Sequence, residues 1–230
     1  MFSRDDVANF INQNFEAAWE SVRPVPIVSI NFGNGTVVTR TLHGNIASYI
    51  CTQEGQVIDI LPGVYEPTVY LDRLTRLHPI AHRIANLPES EGEKILASYH
   101  RWWAEALASL SESATAPKMD ISKADIEGFA KFKLLAQLRT ESEAARTDTT
   151  PRGMSGDLAN WNLLKDDTRL NEIVRRRQIH AELCSRPLVR PETLVKWLYK
   201  EVLHADLDDP YLGLSKTLFD GYPFDDQANR

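Results

Sequence analysis

The chain has 230 residues, of which 43% are hydrophobic and 25% are charged. This composition is ordinary for globular proteins and argues against collagen-like, disulfide-stapled and strongly disordered classes. Lys and Arg number 26 against 32 Asp and Glu, for a formal net charge of −6. That balance gives no overall attraction to phosphate backbones or anionic lipid, so we expect neither nucleic acid nor a membrane as a partner.

Cysteine content and hydropathy bound the cellular setting. Cys51 and Cys184 are the two cysteines, and they lie far apart in segments predicted to be regular structure. They can build neither a disulfide framework nor a zinc knuckle, and we expect two buried thiols. No apolar run reaches the roughly 18 residues that a membrane-spanning helix needs, and the first residues lack the regions of a secretory signal. The sequence therefore indicates a cytoplasmic protein.

The N-terminal part predicts one helix followed by a hairpin. Apolar residues recur at intervals of three and four over residues 3–22, which predicts a helix that ends before Pro24. Two β-branched runs, residues 27–32 and 36–42, then flank Gly33-Asn34-Gly35. Because such a sequence readily adopts the positive φ values of a tight turn, it predicts a β-hairpin.

A second strand pair and a closing helix follow, and then the character of the chain changes. Residues 46–52 and 56–61 predict two strands, and a helix is expected from Pro67 to Leu77. Beyond it the β-branched runs vanish, so we place a boundary that divides the chain into 1–77 and 78–230. The second part is predicted to contain helices over residues 89–110, 121–138, 160–186 and 191–203, with a mobile loop over residues 139–156.

Residues 44–63 and the helix over residues 67–77 resemble the C-terminal half of a thioredoxin-like domain. They show a strand, an acidic-glycine turn, a second strand, a glycine and a closing helix, in the order typical of that family. Residues 7–15 with Trp19 look like the helix that follows the active-site helix in that family. The resemblance implies an α/β fold in which a partial thioredoxin-like domain, with a mixed or antiparallel sheet and flanking helices, precedes a mainly α-helical region.

Departures from the family pattern decide the functional expectation. The redox motif Cys-x-x-Cys is absent, and Ile46, whose peptide bond should be trans, stands where the family has a cis-proline. The hairpin at Asn34-Gly35 replaces a segment that is more often helical. The resemblance then implies a redox-inactive thioredoxin-like module that serves interaction or scaffolding. The alternative is a fragment or late-start form of a thiol-disulfide oxidoreductase whose Cys-x-x-Cys lies upstream.

An acidic segment near the C-terminus suggests a weaker alternative, a metal-dependent enzyme. Oxygen ligands suit calcium or magnesium, but this segment lacks the glycine and the distal glutamate of a calcium loop. A helix end followed by a solvated acidic turn is therefore the favoured interpretation. We assign no catalytic residue and no cofactor, and the metal-ligand candidates are His204, Asp206, Asp208 and Asp209.

Three other patterns are interpreted as structural. His180 and Cys184 share one helical face, as do His78 and His82, but two potential ligands do not make a metal or nucleophilic site. Three consecutive arginines at residues 175–177 are flanked by acidic residues. We interpret this run as a solvated helix face.

The adjacent residues Trp102 and Trp103 are the interaction candidates. Neighbouring side chains on a helix cannot point the same way. One ring is therefore expected in the core and the other at an interface, which indicates either a protein partner at this point of the chain or packing against the N-terminal sheet.

Overall fold

The computed structural model describes most of the chain. The predicted helix over residues 121–138 and the predicted loop over residues 139–156 lie outside the described residues. Helices and two antiparallel strand pairs make up the described part, which is therefore of mixed α/β composition. None of its helices is both long and apolar enough to cross a membrane. The described residues are 1–24, 27–31, 33–35, 37–41, 46–113 and 158–213.

The helices and strands of the described part are numbered in chain order. Two segments of π-helix, which we call the first and second π turn, continue helices α4 and α6. The elements are α1 (Asp5–Asn14), β1 (Ile27–Asn31), β2 (Val37–Thr41), β3 (Ala47–Cys51), β4 (Val57–Pro62), α2 (Pro67–Ala85), α3 (Glu89–Ser113), α4 (Leu158–Leu170), the first π turn (Asn171–Arg175), α5 (Arg176–Ser185), α6 (Pro191–Trp197) and the second π turn (Leu198–Val202).

Helix α1 is shorter than the sequence pattern predicts. The expected end near residue 22 is wrong, because the backbone of Phe15 is already extended, with φ −137° and ψ 151°. This turn brings the Phe15 ring against Phe10 and edge-on to His78 of α2, with centroid distances of 6.3 and 5.6 Å. Trp19, which the pattern placed on the inner face, is 89% exposed. Contact with α2 therefore ends the helix early.

Both predicted hairpins are confirmed. Strand β1 pairs antiparallel with β2, with Asn31 opposite Val37, and Gly33 and Gly35 take φ values of +74° and +87° in the turn. Strands β3 and β4 pair antiparallel in the same way around Gly55, whose φ is +79°. The two pairs form separate two-stranded sheets in the described part of the chain.

Helix α2 starts as predicted and ends later. Pro67 occupies its first turn, where the missing N–H costs nothing. The helix then passes through Pro79 and reaches Ala85, beyond the expected end at Leu77. Apolar side chains on both sides of Pro79 are buried, which offsets one lost backbone hydrogen bond. The division into residues 1–77 and 78–230 stays a prediction, and α2 passes through its boundary.

Strand β4 lies between two apolar clusters, and all six of its residues are buried. Ile58 and Leu61 join side chains from α1, α2 and α3. Val57 and Ile60 join side chains from α5, α6 and the second π turn. Because the C-terminal helices cover one face of β4, a polar side chain on this strand is enclosed on all sides.

The predicted helix over residues 160–186 is confirmed as a helical segment, but it is not regular. Five residues, Asn171–Arg175, form the first π turn between α4 and α5. A π turn holds one residue more than an α-helical turn, so it changes which side chains face the interior. The predicted helix over residues 191–203 is likewise observed as α6 and the second π turn.

Candidate functional site

The candidate site is a largely buried group of charged and aromatic side chains, which we call the Asp59 cluster. Its members are Asp59, Tyr99, His100, Arg176 and His180. Asp59 lies in the middle of β4 and has no exposed surface. Its Oδ2 accepts hydrogen bonds from the Arg176 guanidinium at 2.7 Å and the Tyr99 hydroxyl at 2.8 Å. Its Oδ1 accepts the backbone N–H of Ile60 at 2.7 Å. The carboxylate is therefore bonded to groups from β4, α3 and α5.

The position of Arg176 corrects the interpretation of the arginine run. Arg177 is exposed as predicted, but only 1% of Arg176 is exposed. Arg175 is partly buried and donates to the side-chain oxygen of Asn171 at 2.7 Å. The surface prediction is wrong for Arg176, because the first π turn and the first residues of α5 face β4, where Asp59 pairs with the guanidinium.

The ion pair keeps both partners charged despite burial. Burial, the largest single influence, would raise the pKa of Asp59, but Arg176, the two nearby histidines and the Tyr99 hydrogen bond together outweigh it and lower that pKa to about 2. Burial opposes the charge on Arg176, while Asp59 and Glu172 raise its pKa above the ordinary value. Charge compensation within the cluster thus offsets the loss of hydration.

Two histidines join α3 to α5 beside this ion pair. His100 and His180 are both buried, and their Nδ1 atoms lie 2.9 Å apart. His100 also makes a hydrogen bond to the backbone of Ile58. Since a neutral imidazole carries one proton, we assign that proton to His100 Nε2, so that His180 Nδ1 donates to His100 Nδ1.

Burial keeps this histidine pair neutral. It lowers the pKa of His100 to about 4 and the pKa of His180 to about 3. Asp59 acts in the opposite direction on both rings, and Arg176 adds to the lowering. At neutral pH both imidazoles therefore serve as hydrogen-bonding groups without charge.

Trp103 covers the cluster on its outer side. Its ring stacks on His180 at a centroid distance of 5.8 Å and an interplanar angle of 11°. The guanidinium carbons of Arg73 and Arg176 lie 5.5 and 5.4 Å from the ring centre, within the range of cation–π attraction. Trp102 meets Trp103 edge-on at 5.0 Å and is 61% exposed. Trp103 is only partly buried, so the expected core position is not observed for either ring, and a partner at Trp102 stays a prediction.

Four polar atoms around the cluster lack a hydrogen-bond partner among the described residues. Two are acceptors, Glu172 Oε1 and His180 Nε2, one is the donor Arg176 Nε, and one is the Tyr65 hydroxyl. Buried polar groups are normally satisfied by protein or by ordered water. What these four atoms offer chemically is hydrogen bonding, through two acceptors, one donor and one hydroxyl.

The glycine that follows β4 permits a close approach at the edge of the Asp59 cluster. Gly63 follows β4 with φ +76°, and a Cβ there would stand 2.8 Å from Asn171 Nδ2. That amide donates to the carbonyl of Val64 at 2.8 Å. The backbone after β4 thus approaches the first π turn closely, which is possible because residue 63 has no side chain.

The predicted metal candidates do not converge. Lys200 pairs with Asp206 at 2.8 Å, and Lys196 pairs with Asp208 at 2.9 Å. An oxygen of Asp209 accepts the backbone N–H of Tyr211, and His204 takes a positive φ of 53°. No group of three or more His, Cys, Asp or Glu within the described ranges is placed to hold a metal ion.

The remaining candidates occupy structural positions. Cys51 and Cys184 are free thiols as predicted, but each is partly exposed where burial was expected. Burial raises the pKa of Cys51 to about 11, which disfavours the nucleophilic thiolate. Cys184 lies 3.7 Å from the carbonyl of Ala97, and His78 packs edge-on against the Phe15 ring.

No family model, curated protein or solved structure matches this chain. The thioredoxin-like resemblance of residues 44–77 therefore stays a prediction. Sequence reasoning missed Asp59 and His100, although one signal was present. Asp59 interrupts the apolar run from Val57 to Leu61, and an acidic residue at such a position needs a partner if the strand is buried.

Proposed function

We propose that the protein is a non-catalytic, redox-inactive binding module that docks a protein partner through the Trp102 face of α3. The observation that carries this proposal is the 61% exposure of Trp102 on a helix whose opposite side is fixed in the Asp59 cluster. Tryptophan is enriched among the residues that dominate binding energy at protein interfaces.

The support beneath Trp102 makes it suited to binding. Its ring packs edge-on against Trp103, which in turn contacts His180 and the guanidinium groups of Arg73 and Arg176. A side chain that is already ordered loses less conformational entropy when a partner covers it. An exposed indole in this position offers a large apolar surface at a small entropic cost.

The Asp59 cluster contributes to this function by orienting α3. Tyr99 and His100, which lie within four residues of the two tryptophans on the same helix, bond to Asp59 and His180. Those bonds join α3 to β4 and α5, so they restrict its rotation about the helix axis. The charged groups thus have a positioning role, and their hydrogen bonds are made mainly with one another.

The thioredoxin-like character of residues 1–77 is part of the same proposal. It is supported by the order of β3, β4 and α2, by the antiparallel pairing of the two strands, and by the positive φ of Gly63 before the helix. Within the described residues, no observation favours the oxidoreductase or the metal-dependent enzyme over this binding module.

Affinity capture from a native lysate of the source cells tests the Trp102 face. The full chain, a Trp102→Ala variant and a Trp19→Ala control are immobilised, and bound proteins are quantified by mass spectrometry. Trp19 is the matched control, since it is an exposed tryptophan distant in sequence from α3. We expect at least about tenfold lower recovery with Trp102→Ala alone, equivalent to about 1.4 kcal/mol of binding energy.

Two results would overturn the proposal. Equal recovery with wild type and Trp102→Ala, when both have the same circular dichroism spectrum, would remove α3 as the binding face. Reduction of insulin by the isolated chain with a competent electron donor would remove the redox-inactive assignment. Because Trp102 is largely exposed, the thermal midpoint of Trp102→Ala should stay within about 2 °C of wild type.

A further inference from the structure

An arginine from the N-terminal part of the chain is held by a turn near the C-terminal end of the described residues. The Arg23 guanidinium donates to the backbone carbonyls of Leu207 at 3.3 Å and Pro210 at 2.6 Å, and also to that of Asp209. These acceptors lie 184 to 187 residues away along the chain. Three carbonyl oxygens of one turn thus point at a single cation.

The turn at residues 206–212 is closed by its own hydrogen bonds. The N–H of Leu212 donates to Asp209 at 3.0 Å, and the N–H of Asp206 donates to Leu212 at 3.2 Å. Leu212 is buried and has a positive φ of 56°. The carbonyls therefore converge because of the fold of the turn, and the hydrogen bonds from Arg23 stabilise that fold further.

The chemistry of this carbonyl group matches a guanidinium. Carbonyl oxygens accept hydrogen bonds without supplying a full negative charge, and a guanidinium offers five N–H donors in one plane. The nearby carboxylates of Asp206 and Asp208 pair with Lys200 and Lys196 instead. A lysine ammonium is a point charge with three donors and reproduces the planar arrangement poorly.

We propose that the turn at residues 206–212 is a guanidinium-binding site that Arg23 fills from within the chain. Residues 15–24, which contain no helix or strand, are then a strap that this arginine fastens to the turn. The ligand class is the planar guanidinium group, as carried by arginine or methylguanidinium. This inference is independent of the binding face on α3.

Tethering explains why the site is occupied in the intact chain. An attached group is present at an effective concentration on the order of millimolar, so a dilute free guanidinium competes poorly with Arg23. Removal of the arginine side chain loosens the turn but leaves its own hydrogen bonds, and it opens the site to a ligand from solution.

Hydrogen exchange of the full chain tests the proposal. Wild type, Arg23→Ala, Arg23→Lys and the control Arg83→Ala, an exposed arginine on α2, are compared with and without about 50 mM methylguanidinium, which exceeds the effective concentration of a tethered group. In Arg23→Ala we expect severalfold faster exchange in residues 15–24 and 206–213. Methylguanidinium should restore protection in residues 206–213 alone, because the free ligand is not attached to the strap.

The controls separate a binding site from general stabilisation. In wild type and Arg83→Ala, residues 206–213 should stay protected with methylguanidinium, because either Arg23 or the free ligand fills the site, and methylammonium should restore no protection in Arg23→Ala. Unchanged exchange of residues 206–213 in Arg23→Ala, or equal rescue by methylammonium, would overturn the proposal. If Arg23→Ala loses protection throughout the chain, Arg23→Lys decides: methylguanidinium must protect its residues 206–213 for the proposal to stand.

Discussion

Two ion pairs of nearly equal length show how differently this molecule uses charge. Arg176 and Asp59 lie 2.7 Å apart with side-chain exposures of 1% and 0%, whereas Lys196 and Asp208 lie 2.9 Å apart with exposures of 76% and 68%. Water screens the exposed pair, which therefore contributes little to the free energy of unfolding. Removal of one partner of the buried pair lowers that free energy strongly, because the other charge stays buried and unpaired. Burial, more than distance, decides which charged cluster matters for stability.

The largest expected effect comes from breaking the buried pair. Arg176→Met keeps much of the side-chain volume but leaves the Asp59 carboxylate buried without its guanidinium. We expect the free energy of unfolding at pH 7 to fall by roughly 3 to 5 kcal/mol. Urea denaturation followed by circular dichroism measures the change.

The matched control removes the exposed pair. Lys196→Met should change the free energy of unfolding by at most about 1 kcal/mol, since both partners are hydrated. The double variant Asp59→Asn with Arg176→Met should recover part of the loss, because no unpaired charge remains. Similar losses for Arg176→Met and Lys196→Met would contradict the contrast between the two pairs.

The second effect is a loss of stability in acid. Histidines of the unfolded chain take up protons near the ordinary pKa of 6.5, but folded His100 stays neutral down to about pH 4. The folded state therefore binds fewer protons in this window, and the free energy of unfolding decreases as the pH falls. Between pH 6.5 and 4.5 we expect a loss of about 2 kcal/mol for each buried histidine.

Asp59 extends this loss to lower pH. Its pKa is about 2 in the folded chain, below the ordinary value of 3.8, so the stability it supplies is present above pH 4 and disappears as the pH falls towards 2. A double variant, His100→Phe with His180→Phe, isolates the histidine contribution. Denaturation at several pH values should give a flatter slope between pH 6.5 and 4.5 in this variant, and an unchanged slope would refute the assignment.

The smallest effect concerns the close approach at Gly63. Gly63→Ala places a methyl group against Asn171 and also strains a positive φ. Gly35→Ala has a similar φ of +87° with nothing within 4 Å, so it measures the strain alone. We expect Gly63→Ala to cost about 1 to 2 kcal/mol more than Gly35→Ala in thermal or urea unfolding. Equal losses would show that the first π turn moves aside easily.

Local signals in the sequence were enough to find the local elements. β-Branched runs around glycines gave both hairpins, and proline at residue 67 gave the start of α2. The end of α1 was misjudged because the Phe15 ring turns out of the helix to meet His78. A contact with a residue so distant in the chain leaves no periodic trace in the sequence.

The site was harder to predict because its parts are far apart in the chain. Asp59 and Arg176 are separated by 117 residues, and His100 and His180 by 80. Apart from Asp59 in its apolar strand, each residue alone fits an ordinary surface or core pattern, and the arginine run looks like a solvated face. The sequence indicated Asp206, Asp208 and Asp209 as metal-ligand candidates instead, although the structure pairs Asp206 and Asp208 with exposed lysines.

The first π turn has a consequence for insertions and deletions in the gene. Successive residues of an α-helix are rotated by about 100° about the helix axis. A turn that holds one additional residue absorbs this rotation, so the side chains of α4 and of α5 keep facing the elements against which they pack. Loss of one codon within residues 171–175 would convert the bulge to regular helix and leave Arg176 and His180 facing β4 and α3. The same deletion within α5 would turn the residues beyond it away from the core. Within α4, the first π turn and α5, a change in length is therefore best tolerated at the π turn, which lies beside the Asp59 cluster.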